Sequence, residues 1–336
     1  MRHTPDINNL LKVLRREKTD EPVLFELFLN EVLHERFTGR KLGDYTPLNY
    51  LKFRVDAYAA AGYDYATTEA CNMIFCPGAE HRKETISLNE AAYIQNREDF
   101  DNHPWPNPDL CDYSVLTEIE PYLPGNMKLM VLGPCGVLEN VIALTGYDNL
   151  CYMLFDDPEL VQDIFDRVGS LLLRYYEIAL EYPSVGIVMS NDDWGFNSQT
   201  FLSVEDMRRF VFPWHKKIVA AAHRAGRPAI LHSCGNMSQV FEDIITDMKF
   251  DGKHSYEDKI MPVEECYRIW GDRIAIIGGI DVDYLVRASE EEIRERSINL
   301  LKLTAKGGYA LGSGNSIPEY IPYEKYISMT ESRYLV

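Results

Sequence analysis

Basic residues are scarce in this chain: 34 Lys and Arg stand against 52 Asp and Glu, for a formal net charge of −18. A protein that binds nucleic acid needs a cationic face to displace counterions from phosphate, so this balance argues against such a partner. The acids are spread along segments such as Ser289–Arg296, where they serve solubility or a docking surface for another protein. Long apolar runs are missing too. None approaches the length of about 18 residues that a membrane-spanning helix needs. The opening Met-Arg-His-Thr-Pro-Asp lacks the apolar stretch of a signal peptide. Cysteine spacing shows no regularity across Cys71, Cys76, Cys111, Cys135, Cys151, Cys234 and Cys266. Reduced thiols and a cytoplasmic location are the expectation.

With 46% hydrophobic and 26% charged residues, the composition is that of a globular domain rather than a disordered chain. Short apolar runs followed by turn residues recur along it. They fall at Pro22–Leu27, Tyr63–Thr68, Lys128–Leu132, Val185–Ser190, Pro228–His232, Gly252–Ser255, Ile274–Gly278 and Gly308–Leu311. The stretches between them carry helix signals. Asp157-Pro158-Glu159 places a cap and a first-turn proline before an apolar stripe, and Ser289-Glu-Glu-Glu292 reads as a capping box whose helix stops at Gly307-Gly308. A further helix starts at Ser203, is interrupted at Pro213 and ends at Gly226. Eight strands alternating with helices predict an α/β fold, a single (β/α)8 TIM barrel over residues 1–336. An open doubly wound sheet is the alternative, but no strand is followed by a GxGxxG turn. The irregular stretch Cys76–Pro108, with a short helix near Leu88–Asn96, is placed as a loop over the active site.

Barrel enzymes carry their chemistry on the C-terminal strand ends, and here all eight ends are polar. His232-Ser-Cys234 is the sharpest of them. A strand period of two puts imidazole and thiol on one side, where they can share a zinc ion. Asp192, Asp193, Cys135, Glu139 and His254 are the candidates for a third ligand. Two adjacent acids, if buried, need a metal, a base or a cation to offset them. We assign His232, Cys234 and Asp192 to the metal. Proton transfer and charge stabilisation go to Asp193, His254, Glu257 and Asp281. Substrate contact goes to Glu26, Asn30, Trp194, Asn236 and Asn315, with Trp194 and Phe196 as a stacking wall or, equally, as core packing. His215 and His223 are expected on a helix surface, whereas His81 and His103 lie in the long loop.

Several motifs carry a resemblance to a known family. They are Leu231-His-Ser-Cys-Gly-Asn236, Lys253-His-Ser-Tyr-Glu-Asp258, Gly278-Gly-Ile-Asp-Val-Asp283 and Gly312-Ser-Gly-Asn-Ser-Ile-Pro318. Gly146-Tyr-Asp-Asn-Leu-Cys151 and Asp192-Asp-Trp-Gly195 extend them. In order and spacing they resemble the uroporphyrinogen decarboxylase superfamily. Its decarboxylases hold the substrate's carboxylates with an arginine motif after the first strand. Phe25-Glu-Leu-Phe-Leu-Asn-Glu31 has no Arg or Lys, and a polycarboxylate would meet acids there. The chain is more similar to the branch that moves methyl groups to or from a corrinoid protein. The coenzyme M methyltransferases of that branch use His-x-Cys and a later cysteine as zinc ligands. His232 and Cys234 match the first two, and Asn315 stands near the third. The resemblance therefore implies a zinc-dependent methyltransferase, with a corrinoid protein as partner and a small-molecule methyl donor or acceptor. The alternatives are a decarboxylase of the uroporphyrinogen decarboxylase type and a non-catalytic ligand-binding barrel.

Overall fold

The computed structural model describes residues 3–76, 89 and 93–336. Seven parallel strands pair in chain order: β1 Tyr65–Glu69, β2 Lys128–Leu132, β3 Val185–Asn191, β4 Ala229–His232, β5 Gly252–His254, β6 Ala275–Ile277 and β7 Tyr309–Ala310. Each is followed by helical segments that cover the sheet, giving a curled, TIM-barrel-like α/β architecture. Residues 129–132 and 185–190 are buried at every position, because one strand face meets the interior and the other meets helices.

The first predicted strand, Pro22–Leu27, does not form a ladder strand. Leu24 makes an isolated parallel bridge to Leu311, with Phe25 N–H donating to Leu311 O and Leu311 N–H to Val23 O, both at 2.8 Å. On the other side the Tyr65 hydroxyl accepts from Glu26 N–H at 2.8 Å and donates to Glu26 O at 2.6 Å. One phenol thus occupies both backbone groups that Glu26 would otherwise offer to β1. The other predicted strands hold to within a few residues. β6 stops at Ile277 because Gly278 and Gly279 turn the chain with φ of +71° and +113°.

Helix Ile7–Leu14, capped by Asp6, packs Leu10, Val13 and Leu14 at the N-terminal end of the sheet. Helix Pro158–Ala179 begins where Asp157 accepts from Leu160 N–H. The Ser289–Glu292 capping box forms, and its helix ends at Leu303, earlier than the glycines suggest. After Ser203 the helix runs through a π turn at Met207–Val211 into Phe212–Arg224. Pro213 therefore sits in the first turn of a new α segment, where its missing N–H leaves no partner unpaired. In the long loop the described helix is Arg97–Asn102, capped by Asn96. Of the predicted Leu88–Asn96 helix, residues 89 and 93–96 are described and are not helical, the helix starting only at Arg97; residues 88 and 90–92, and His81, lie outside the described residues. Among those residues no helix is long and apolar enough to cross a membrane.

Candidate metal centre at the strand ends

Register places the site. Asn191 on β3 pairs with His232 on β4, which pairs with His254 on β5. Neighbours in register point to the same face, so both imidazoles face the interior. The period of two carries that face on to Asp193 and Cys234, and sends Asp192 to the opposite one. One ligand atom from each of Asp193, His232 and Cys234 lies within 4.8 Å of the others. His232 Nε2 is 3.8 Å from Asp193 Oδ1 and 3.9 Å from Cys234 Sγ. Cys234 N–H donates to Asp193 Oδ1 at 2.7 Å.

The proton positions follow from the partners. His254 Nε2 lies 3.2 Å from Ser313 O, and a carbonyl can only accept, so this nitrogen carries a hydrogen. Burial holds both imidazoles neutral, His232 at about 4 against the pull of Asp193, and His254 well below its ordinary value. His254 Nδ1 is then a bare acceptor. It meets His232 Nδ1 at 2.8 Å, which puts the shared proton on His232. His232 Nε2 is left with its lone pair aimed at Asp193 and Cys234. A buried carbonyl thus dictates the tautomer of a side chain two steps away.

Burial and the Asp193 charge push the Cys234 thiol up to about 12. Asn315 Nδ2 donates to its sulfur at 3.3 Å, and Ser255 Oγ lies 3.4 Å from it. Nitrogen, sulfur and carboxylate donors within this spread, with the nitrogen lone pair already directed, fit a zinc ion. His232, Cys234 and Asp193 would hold it.

Other assignments need correcting. Asp192 is not a ligand: it is fully buried on the far face, and its two oxygens accept from Leu138 N–H, Glu139 N–H, Trp194 Nε1 and His215 Nε2. Gly136 permits that approach, since a Cβ there would come within 2.2 Å of Asp192. His215, expected on the surface, is buried between Asp192 and Ser190. His223 is half-exposed and pairs with Asp251. Trp194 is core, packed on Phe212 and His215, and makes no stacking wall, although Phe196 beside it is exposed. His254 has both nitrogens engaged and no exposed surface, so it positions His232 rather than exchanging protons with substrate. Asp281 caps a short helix through Tyr284 N–H and also accepts from Asp258 N–H.

Glu26 is fully enclosed, with Oε1 and Oε2 on Ser313 N and Oγ, and burial raises its carboxyl to about 8. Asn30 caps a helix and reaches the carbonyls of Ile317 and Pro318. Neither therefore lines substrate space. Asn236 accepts from Ser238 within its own loop, and Glu257 is partly buried with its carboxyl raised by burial and by Asp281. His103 packs within the long loop, with Nε2 on Phe75 O. Cys135 stands at the mouth with φ of +60°, outside the metal cluster. Beside it, burial and the charges of Asp192 and Asp193 lift Glu139 to about 8. The sequence assigns no role to Ser255 or Ser313, although both stand within its motifs, because a lone serine carries no periodic or spacing signal.

A family model described as Uroporphyrinogen decarboxylase (URO-D) matches residues 119–334, which contain the whole cluster. The chain belongs to the uroporphyrinogen decarboxylase family. A curated member of that name from Myxococcus xanthus (strain DK1622) is 26% identical over 165 residues, covering 49% of this chain and 44% of that protein. The chain thus spans under half the length of the curated relative it matches. A solved methyltransferase from Methanosarcina mazei has the same fold, with a TM-score of 0.70, 14% identity and coverage of 99% of both chains. Family membership accounts for the polar strand ends without choosing a reaction.

Proposed function

We propose that this member of the uroporphyrinogen decarboxylase family is a zinc-dependent methyltransferase that exchanges a methyl group with a corrinoid carried by a partner protein. In this reading residues 1–336 form one barrel domain. Pro22–Leu27 acts as its eighth stave through the bonds to Leu311. The convergence of Asp193, His232 and Cys234 carries the reading. The methyltransferase fold of the Methanosarcina protein is compatible with it.

Each residue has a defined task. His254 holds the His232 ring so that Nε2 presents its lone pair. Asn315 donates to the Cys234 sulfur and steadies negative charge there. Asp193 supplies the oxygen donor where a third thiolate is missing, and its bond from Cys234 N–H fixes it beside the sulfur. Zinc bound there would supply the positive charge that keeps an acceptor thiol deprotonated or polarises a donor oxygen. Uroporphyrinogen is disfavoured because the segment Phe25–Glu31 offers its carboxylates no cation.

The test incubates zinc-loaded protein with methylcobalamin and a panel of small thiols, and separately with uroporphyrinogen. Loss of methylcobalamin with formation of a methyl thioether, dependent on Cys234 and Asp193, is the expected result. Coproporphyrinogen formation without methyl transfer would overturn the assignment.

A further inference from the structure

Lys253 is the middle residue of β5, in register with Leu231 on one side and Ile276 on the other, yet its side chain leaves the metal centre. His254 faces the interior, so the alternation of β5 sends Lys253 to the helix-covered face. There it is 3% exposed, deep enough that an ammonium ordinarily requires a counter-ion. Among the described residues no carboxylate comes within ion-pair distance of its Nζ. The ammonium donates to Ser255 O and sits 4.4 Å from the centroid of the Tyr256 ring. A carbonyl and a ring face disperse part of the charge, but they engage only part of a group with three N–H donors. Burial depresses the lysine to about 8, while Cys266, Cys234, Asp193 and Glu257 act in the opposite direction.

Lys253 also lines a pocket of about 120 Å³ between the loop after β4, the loop after β5 and helix Val263–Trp270. The walls are mixed: Asn236, Ser238, Ser255 and Glu257 supply polar groups, Glu257 with its carboxyl raised by burial, and the rest is apolar. Met237, Phe241, Met261 and Trp270 contribute to the apolar part, and Phe241 stacks on Trp270 with centroids 3.9 Å apart. An apolar patch beside a buried cation is a recognition pattern for a small amphiphilic anion, and Glu257 is the one acid on the lining, held towards its neutral form by burial. The pocket is separate from the metal ligands, none of which lines it, but Ser255 belongs to both surroundings. Ser255 lines the pocket, and its hydroxyl lies 3.4 Å from Cys234 Sγ.

We propose that this pocket binds a small organic carboxylate, whose head pairs with the Lys253 ammonium and whose apolar part packs against Met237, Phe241, Met261 and Trp270. The site needs no metal, so it stands independently of the methyltransferase reading. Its nearness to Cys234 through Ser255 gives an occupant a route to influence the metal centre.

Titration calorimetry with butanoate, butanamide and n-butylammonium, on zinc-loaded and on chelator-treated protein, tests the proposal. Butanoate is expected to bind saturably in both preparations, and the amide and the amine are not. Lys253→Met keeps the length of the side chain and removes the buried charge, so it should fold, and it should weaken butanoate by about tenfold to a hundredfold. Ile260→Trp leaves Lys253 in place and fills the pocket that Ile260 lines, so it should abolish binding. Quenching of Trp270 fluorescence, lost in Trp270→Phe, locates the ligand. The proposal fails if wild-type protein gives no saturable heat with butanoate. It also fails if the amide binds equally well, or if both the Lys253 and the Ile260 variants bind as wild type does.

Discussion

One proton between two imidazoles decides which atom His232 offers. Ser313 O fixes the hydrogen on His254 Nε2, and the His254 Nδ1 acceptor then fixes the hydrogen on His232 Nδ1. Replacing His254 by Leu removes that acceptor and frees the ring to rotate or change tautomer. Zinc affinity, measured by competition with a chelating dye, should fall about 10–100-fold while the circular dichroism spectrum is retained. Unchanged affinity would mean that the pair has no role in metal binding. The adjacent acids should separate just as clearly. Asp193→Ala should lose zinc and change the unfolding free energy by less than about 1 kcal/mol, because its side chain is partly exposed. Asp192→Ala leaves four buried donors without their acceptor and should cost about 3–5 kcal/mol in a denaturant melt. Glu26 adds a pH dependence. Its folded-state value of about 8 lies above the ordinary 4.5, so it ionises more readily in the unfolded chain. Its contribution to stability is therefore fully present below pH 4.5 and is lost as pH rises towards 8. Glu26→Gln should match wild type at low pH and exceed it by roughly 2–5 kcal/mol above pH 8. A difference independent of pH would show that Glu26 is ionised in the folded protein.

At the level of elements, local signals were legible where they act locally. Asp157 and Ser289 cap helices where their positions suggest, and Ser289→Ala should cost about 1 kcal/mol by thermal melt. The strands were legible from apolar runs bounded by turn residues, except the first. Nothing in Pro22–Leu27 announces that the Tyr65 hydroxyl will take up the backbone of Glu26, because that contact comes from distant chain. The π turn before Pro213 was hidden for a similar reason: a proline reads as an interruption, and the turn absorbs it. In the site, His232 and Cys234 were legible from their spacing alone. The choice between Asp192 and Asp193 was not, since it depends on the pairing of Asn191 with His232, which only the folded sheet supplies. His215 was misread because one helical histidine shows no sign of the buried carboxylate that receives it.

Across the whole molecule, the family match covers residues 119–334 and every member of the metal cluster, while the described residues before it carry no part of that cluster. The excess of acid, −18 in all, keeps the surface from serving phosphate and leaves an isolated cation such as Lys253 conspicuous. The account depends most on one property of the assembled chain, that Asp193, His232 and Cys234 bind zinc together. Elemental analysis of wild-type protein and Cys234→Ala, prepared side by side with zinc supplied and thiols reduced, measures it directly. The wild type should hold about one equivalent that chelators remove, and the variant, equally folded, should hold almost none. Wild-type protein without zinc under those conditions, or equal zinc in both, would contradict the account.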